Sequence, residues 1–278
     1  MCIILLARHA HPDYPLILAA NRDEAYSRPA APAAFWSDHP HIYGGRDLDK
    51  GGTWLALARS GRIAAVTNYR DGQPKEAAAR SRGVLVSDFL TNGSAALPYL
   101  EQIKRQGDQY NDFILVAGDL HNLYWLSNRG PGVEVIPPGV HGLSNHLLNT
   151  PWPKIRRSKL AVEALLGAQE TELAAGLFGL LADRSVAPDE DLPQTGIALQ
   201  RERELSAIFI SSERYGTRAS TVVLVHANGD VLFTERSFGA GGTPLGEVSR
   251  RFRLDTLGVP DEAKNLSHRD HRGHRENS

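Results

Sequence analysis

The order in which short apolar runs and amphipathic segments follow one another restricts the fold of this chain more than any other feature. Strand-like runs separated by Gly, Pro, Asp and Asn come first: CIILLA, YPLILAANRDE, GGTWLALA and GRIAAVTNYR. Two segments with apolar residues at helical spacing follow, SRGVLVSDFLTNG and SAALPYLEQIKRQG. Strands then return in NDFILVAGD and NLYWLSN.

A second pair of helices and a final hairpin complete the pattern. After a turn-rich connection, GVHGLSNHLLNTPWPK, helices are predicted in IRRSKLAVEALLG and ETELAAGLFGLLAD. Residues 184–205 are predicted to be a polar loop, and STVVLVHANGDVLFTERSF a β-hairpin. Because strands arrive in hairpins and helices in pairs, we expect an α+β fold of stacked sheets covered by helices. One domain over residues 2–262 and a disordered polar tail over 263–278 are predicted.

Composition excludes several classes of protein. A net charge of −1 over 278 residues argues against a nucleic-acid binder, which needs a basic surface. No run approaches the ~18 apolar residues of a membrane span, so we expect no transmembrane segment. The short run CIILLA is closed by Arg8 and lacks a basic stretch before it, unlike a signal peptide. With one cysteine and no disulfide framework, a cytoplasmic protein is expected. The oligomeric state stays open.

The one cysteine of the chain, Cys2, directly follows the initiator methionine. If Met1 is removed, Cys2 carries its own α-amine, whose reference pKa of ~7.7–8.0 leaves part of it neutral at pH 7. That amine can accept the thiol proton and produce the reactive thiolate. The alternative is that Cys2 is a small hydrophobic residue at the start of a buried strand. Position alone favours this second interpretation.

Four polar residues, Asn21 to Glu24, follow the apolar run LILAA. A carboxylate such as Asp23 near the amino terminus would orient the amine, and a cation such as Arg22 would stabilise a thiolate. Asn21 and Glu24 are further candidates for contact with a ligand. Adjacent residues of a strand point to opposite faces, so Arg22 and Asp23 face Cys2 together only at a turn or bulge. The alternative is an ordinary charged turn.

Several separate motifs, taken together, resemble the NRDE-motif family, also called the transport and Golgi organisation family. The matching pieces are MC, ILAANRDE, GGRDLDKGGTWLAL, AAVTNYRD, SRG, GLSNHLLNTPWPK and GTRASTVVLV, which extend from residue 2 to about residue 236. The resemblance implies a relation to the N-terminal nucleophile hydrolases and their four-layered αββα sandwich.

The resemblance also implies roles for five residues. By motif, Cys2 corresponds to the nucleophile, Asp23 to the aspartate beside the amino terminus, Asn68 and Asn145 to two asparagines, and Arg218 to a later arginine. In the cysteine hydrolases of that superfamily the first arginine precedes the aspartate by more than one residue, and here Ala20 stands at that place. Asparagine N–H groups suit an oxyanion, although both asparagines are also typical turn residues.

Other polar residues are weaker candidates. Arg46, in the glycine-rich segment GGRDLDKGGTW, is available for an anionic group, and His9, His11 and His146 are potential donors to a ligand. The same segment does not fit a calcium loop because its fifth and twelfth positions are Gly51 and Ala58. No metal site is therefore predicted.

Two functions from different classes remain open at this stage. One is hydrolysis of an amide or thioester by Cys2, which requires no cofactor. The other is binding and trafficking of haem or acyl-CoA, which the family resemblance implies. In that case Cys2, His9 or His11 would be the axial donor, and arginines, Arg218 among them, would hold the propionates. Either way the partner is a small amphipathic ligand, and whether the protein is an enzyme is undecided.

Overall fold

The structure, a computed structural model, describes residues 2–73 and 80–255. The strands of this part of the chain are β1 (Cys2–Arg8), β2 (Leu16–Ala25), β3 (Ala30–Phe35), β4 (Ile42–Asp47), β5 (Leu55–Ala58), β6 (Ile63–Asn68), β7 (Phe113–Gly118), β8 (Leu123–Ser127), β9 (Val133–Val135), β10 (Gly139–Leu143), β11 (Tyr215–Val225), β12 (Asp230–Phe238) and β13 (Pro244–Arg253). Its α-helices are α1 (Gly83–Thr91), α2 (Ala96–Arg105), α3 (Pro153–Leu165), α4 (Glu170–Leu181) and α5 (Leu199–Leu205).

The strands form two antiparallel sheets. The first sheet has the order β10-β1-β2-β11-β12-β13, and the second has the order β3-β4-β5-β6-β7-β8-β9. The second sheet follows the chain as a meander, whereas the first brings early and late strands together. β1 is therefore an inner strand, yet its pairing with β10 starts only at Ile4. Cys2 pairs with β2 alone, so the start of β1 lies at an open corner of the sheet.

Alternation along β1 separates two cores. Ile4 and Leu6 pack between the two sheets, against residues of the second sheet such as Leu57. Ile3 and Leu5, on the other face, belong to a core that also contains residues of α3 and α4. The period of two in a strand thus lets one apolar run serve both faces of a sheet that is covered on both sides.

A third core lies on the outer face of the second sheet. Phe89 of α1 and Leu100 of α2 pack there against strand residues such as Leu115. The layers are therefore α1 and α2, the second sheet, the first sheet, and then α3 and α4. The predicted α+β class and the four-layered αββα arrangement are confirmed.

Some elements differ from the predictions. The predicted polar loop over 184–205 contains α5, whose sequence LQREREL buries only Glu202 and Leu205 and so lacks an apolar stripe. The predicted turn-rich connection contains β10, a strand with two glycines among five residues. β13 was not predicted because it is an edge strand whose side chains are mostly exposed. These elements depend on neighbours distant in sequence rather than on local pattern.

The boundaries predicted for the domain stay predictions. The tail over 263–278 lies outside the described residues, as does Met1. Within residues 2–73 and 80–255, the helices are all too short or too polar to span a bilayer.

A buried carboxyl group links the two sheets. Glu235 of β12 is 1% exposed, and its Oε1 accepts a hydrogen bond of 2.8 Å from the backbone N–H of Ala33 in β3. Its Oε2 accepts a bond of 3.2 Å from the Thr221 hydroxyl. Burial raises the pKa of Glu235 from 4.5 to about 7, against the effect of these hydrogen bonds. The folded protein therefore binds a proton more tightly here than the unfolded chain does.

The stability of the wild-type protein should fall as the pH rises, and we expect Glu235→Gln to abolish this fall. Because the unfolded chain ionises Glu235 first, wild-type stability falls between the unfolded pKa of 4.5 and the folded pKa of about 7. In the variant, the neutral amide oxygen can accept from Ala33 and the amide nitrogen can donate to the Thr221 hydroxyl, without this cost. Between pH 5 and pH 8, the free energy of unfolding of the variant should rise by about 2–3 kcal/mol relative to that of the wild type. Urea unfolding at both pH values measures the difference.

Glu247→Gln is the matched control for this experiment. Glu247 lies on the neighbouring strand β13, is exposed, and pairs with Arg236 at 2.7 Å. Its loss should change stability by less than 1 kcal/mol at either pH, as for most surface ion pairs. Parallel pH curves for wild type and Glu235→Gln would contradict the assignment of a raised pKa.

Candidate active site

The start of β1 opens into a cavity of about 430 Å³. Its wall combines the first residue of β1, the end of β2, the end of β6, and the segments that precede β5 and α1. The lining residues are Cys2, Arg22, Asp23, Glu24, Arg28, Asp47, Lys50, Thr53, Trp54, Val66, Thr67, Asn68, Arg80, Ser81, Arg82, Gly83 and Asn111. Polar and charged side chains predominate, while Trp54 and Val66 contribute apolar surface.

The register of β1 and β2 places Arg22 directly opposite Cys2. Side chains opposite each other in an antiparallel pair lie on the same face, and here that face is the one toward the second sheet. Asp23 is on the other face of β2, although it also reaches the cavity wall. Of the two adjacent residues, Arg22 is therefore the one that shares the face of Cys2.

The Arg22 guanidinium is buried beside the cysteine. It is 6% exposed and stacks on the Trp54 ring, with 4.4 Å between the guanidinium carbon and the ring centroid. Within the described residues its Nη1 has no hydrogen-bond partner. Burial lowers the pKa of Arg22, while the negative charges of Glu24 and of an ionised Cys2 act in the opposite direction. Arg22 therefore presents a positive charge on the face that carries the Cys2 side chain.

A second guanidinium, Arg82, comes from the segment before α1. Its Nη1 donates a hydrogen bond of 3.0 Å to the backbone oxygen of Asp112. Burial lowers the pKa of Arg82, and the charge of an ionised Cys2 again opposes this effect. Sequence reasoning missed Arg82, since its one signal was the short motif SRG, which has no chemical meaning by itself.

Asp23 is buried on the helix side of β2. Its Oδ1 accepts a bond of 2.7 Å from the Thr217 hydroxyl, and its backbone oxygen accepts one of 2.9 Å from the Tyr215 hydroxyl. Burial raises the pKa of Asp23 to about 6, and the positive charge of Lys154 is among the influences that lower it. The carboxyl group thus lies beside the first strand and holds its proton to a higher pH than an exposed aspartate does.

Lys154, in the first turn of α3, is a buried cation that sequence reasoning also missed. It is 2% exposed, and its Nζ donates a bond of 2.9 Å to the backbone oxygen of Leu205. Burial lowers the pKa of Lys154 to about 8, while the charges of Asp23 and Cys2 act in the opposite direction. A fully buried lysine is rare unless a partner compensates its charge. Its position after Pro153 resembles an ordinary helix start, so no local pattern marks it.

The structure brings the two predicted asparagines together. Asn145 is fully buried with a φ of 62°, and its Nδ2 donates to the Thr67 hydroxyl at 3.1 Å and to Asn68 Oδ1 at 2.9 Å. Asn68 lines the cavity, whereas Asn145 lies behind it. Oδ1 of Asn68 accepts from Asn145, and its Nδ2 donates to the backbone oxygen of Tyr69 at 3.4 Å. The second N–H of Nδ2 is the one left to donate to a ligand. The neighbouring Ser144 hydroxyl donates to the backbone oxygen of Cys2 at 3.2 Å.

The outer residues of the NRDE motif have different roles. Asn21 faces the helices: its Nδ2 donates to the backbone oxygens of Leu181 and Ile208 at 2.8 and 2.9 Å. It therefore joins β2 to the helical layer and is not part of the cavity wall. Glu24 does line the cavity and lies 3.8 Å from Arg28.

Two predicted arginines lie outside the cavity. The Nη1 of Arg218 donates to the backbone oxygens of residues 25, 26 and 28, so its guanidinium stabilises the turn after β2. It lines a second cavity of about 350 Å³, whose wall also includes Arg22. Arg46 pairs with Asp38 at 3.1 Å and stacks on Trp36. The structure does not bring either of them to Cys2.

None of the predicted histidines lines the cavity of Cys2. His9 and His11 follow the opposite end of β1, roughly 20 Å from Cys2 at about 3.3 Å per residue. His9 Nε2 contacts the backbone oxygen of Leu120 at 3.1 Å. His146 contacts the Tyr69 hydroxyl at 2.7 Å, and burial lowers its pKa. Among residues 2–73 and 80–255, no cluster of His, Cys, Asp and Glu could hold a metal ion.

Comparison with known sequences gives extensive matches. The family model described as Transport and Golgi organisation 2 matches residues 1–240. The chain is 40% identical over 278 residues to the Transport and Golgi organization protein 2 homolog of Bos taurus, covering 92% of this chain and 100% of that protein. It is 39% identical over 257 residues to the Homo sapiens homolog, covering 85% of this chain and 93% of that protein. The Drosophila melanogaster protein is 33% identical over 279 residues, with 90% and 96% covered.

Similar solved structures are more distant. A mutant of conjugated bile acid hydrolase from Clostridium perfringens has a TM-score of 0.46 and 9% identity, covering 92% of this chain and 94% of that chain. The Caenorhabditis elegans N-acylethanolamine-hydrolyzing acid amidase ortholog has a TM-score of 0.44 and 12% identity, covering 80% and 92%. Both scores are below 0.5, so the layered architecture given above rests on the sheets and helices of this chain.

We expect Arg22→Gln to slow alkylation of Cys2 by iodoacetamide at neutral pH about tenfold. The thiolate is the reacting form, and loss of one charge-assisted contact to an anion typically costs a factor of about ten or more. Because Cys2 is the one thiol of the chain, total alkylation followed by mass spectrometry measures this site alone. Arg46→Gln is the matched control, since it removes the same charge outside the cavity. Equal rates in wild type and Arg22→Gln would contradict the role of Arg22.

Proposed function

The chain belongs to the transport and Golgi organisation 2 family, and from this premise we propose that it hydrolyses an amide or a thioester through Cys2. The observation that carries the proposal is the position of the lone thiol, in a cavity flanked by Arg22 and by the linked amides of Asn68 and Asn145. A nucleophile, a cation that favours its ionised form, and a positioned N–H donor are the parts that acyl transfer requires.

In the proposed first step, removal of Met1 leaves Cys2 with a free α-amine. The amine takes the thiol proton, directly or through a water molecule, and the thiolate sulfur attacks the substrate carbonyl carbon. Asp23 is the candidate for holding the resulting ammonium, because it is a carboxyl group buried beside the start of β1. Arg22 acts on the sulfur from the opposite strand.

The second step concerns the tetrahedral intermediate. Its oxyanion needs a donor whose orientation is set before the reaction, and Asn68 Nδ2 is the candidate. Asn145 acts through Asn68: its bond to Asn68 Oδ1 prevents the amide from rotating and presenting an acceptor. The ammonium then gives its proton to the leaving nitrogen or sulfur as the C–N or C–S bond breaks. Water hydrolyses the acyl-cysteine, and the thiol is regenerated.

We expect purified protein to lack Met1 and to hydrolyse members of a panel of amides and thioesters. Cys2→Ala should abolish turnover because the nucleophile is lost. It should leave the melting temperature nearly unchanged because Cys2 is partly exposed. Asn68→Ala should lower kcat by about 10²–10³, as is typical when one oxyanion donor is removed. Intact mass, steady-state kinetics and thermal unfolding measure these effects.

Two outcomes count against the hydrolase. Retention of Met1 in the intact protein would remove the free amine and with it the proposed base. Turnover that survives in Cys2→Ala would assign the activity to another group. Tyr69→Phe is a suitable control, since this side chain contacts His146 and does not line the cavity of Cys2. It should retain full kcat.

A second candidate function is binding of haem or acyl-CoA without turnover. The observation that favours it is the number of cationic side chains in the cavity, Arg22, Lys50 and Arg82 among them, which suit propionates or phosphates. Because His9 and His11 lie beyond the far end of β1, Cys2 is the candidate axial donor in this cavity. The mostly polar wall favours the hydrolase over a receptor for a large apolar ring.

If the protein binds haem, we expect roughly micromolar affinity, about −8 kcal/mol, and a shift of the Soret band. Cys2→Ala should alter that band because the thiolate donor is lost, whereas His9→Ala and His11→Ala should not. Acyl-CoA should compete, since its phosphates need the same cations. A spectroscopic titration measures both effects. No saturable binding of haem or acyl-CoA would exclude this second function.

A further inference from the structure

The cavity of Cys2 contains two kinds of arginine. Of the four arginines in its wall, two have carboxylate partners: Arg28 pairs with Asp47 at 2.7 Å, and Arg80 pairs with Asp88 at 3.3 Å. Those charges are neutralised within the protein. The other two, Arg22 and Arg82, form no such ion pair with the described residues, and this affects which ligands the cavity can bind.

Arg22 and Arg82 have no carboxylate partner in residues 2–73 and 80–255. Arg22 is buried and Arg82 is half-buried; burial lowers the pKa of both, and each interacts with the charge of an ionised Cys2. Arg22 is 6% exposed and its Nη1 has no hydrogen-bond partner among the described residues. The Arg82 guanidinium has five N–H donors, and its one assigned contact is a backbone oxygen.

Uncompensated buried charge is costly, and buried charges are normally paired. One thiolate at Cys2 can balance one of the two guanidinium groups. Arg22 is the partner for the sulfur, because the strand register places it directly opposite Cys2. Arg82 lines the same cavity at the edge of α1. The charge of Glu24 acts on both guanidinium groups, but among the described residues neither of them forms an ion pair with it.

We propose that Arg82 binds a carboxylate of the substrate, close to the carbonyl that Cys2 attacks. The inference rests on the proposed hydrolase function and specifies its substrate class: a compact amide or thioester that carries a carboxylate near the scissile bond. A carboxylate fits the planar fork of a guanidinium through two parallel hydrogen bonds. A volume of about 430 Å³ accommodates a molecule of this size.

The test compares two alkylating agents that differ in charge at the position of interest. Iodoacetate and iodoacetamide both transfer a two-carbon group to the thiolate as iodide leaves, but only iodoacetate carries a carboxylate beside the reacting carbon. We expect the ratio of their rates at Cys2 to exceed the ratio for free glutathione by about tenfold or more. That factor is typical of one charge-assisted hydrogen bond.

Arg82→Gln should return the ratio to that of glutathione, and Arg82→Lys should keep part of it because it retains the charge without the fork. Arg156→Gln is the control: Arg156 is an exposed cation on α3, 3.7 Å from Asp191, and its loss should leave the ratio unchanged. A ratio in wild type equal to that of glutathione, or a ratio unaffected by Arg82→Gln, would overturn the proposal.

A second measurement needs only the wild-type protein. If iodoacetate binds Arg82 before it reacts, its rate should saturate with concentration, and malonate should slow it more than it slows iodoacetamide. A strictly linear rate would overturn the proposal even if the Arg82 variants failed to fold. Because alkylation needs no turnover, failure of the hydrolase function is distinguishable. In that case the Arg82-dependent ratio would persist while no amide or thioester is cleaved.

Discussion

The antiparallel register between β1 and β2 is the constraint on which the candidate site depends. It pairs Cys2 with Arg22 and directs both toward the space between the sheets, while Asp23 points to the helical layer. A slip of one residue would move every side chain of β1 to the other face. The apolar residues Ile3 to Ala7 pack tightly on both faces, so the cores of the molecule hold the cysteine in register.

The second element of the site is a connection between the sheets. Asn145, directly after β10 of the first sheet, bonds to Thr67 and Asn68 at the end of β6 in the second. Asn145 is fully buried, so its amide would be costly to leave without these partners. The bond between Glu235 of β12 and Ala33 of β3 joins the same two sheets farther along the first sheet. Together these bonds fix how the two sheets meet.

Local sequence pattern predicted the elements that bury an apolar face of their own. The helices α1 to α4 and the strand β1 were expected because their apolar residues recur with the period of a helix or form a short run. α5 and β13 were missed because they are mainly polar and are held by neighbours distant in sequence. The layered arrangement followed from the order of hairpins and helix pairs, which is a property of the whole chain.

The site was predictable only in part, for a related reason. Cys2, Asp23 and the asparagines stand in motifs, so sequence could single them out. Arg82 and Lys154 matter because of where the fold places them, and no spacing along the chain marks a residue that becomes close to Cys2 only after folding. His9 and His11 show the opposite error. They are close to Cys2 in sequence, but β1 is extended, so the length of a whole strand separates them from Cys2.

The buried part of the site contains two groups of opposite charge, Asp23 and Lys154, whose protonation depends on their surroundings. Burial raises the pKa of Asp23 to about 6 and lowers that of Lys154 to about 8, so both groups titrate nearer to neutral pH than they would in water. Each favours the charged form of the other, because opposite charges in a poorly solvated region compensate the loss of hydration. A change in the charge of Cys2 or of a bound ligand therefore shifts the protonation of both.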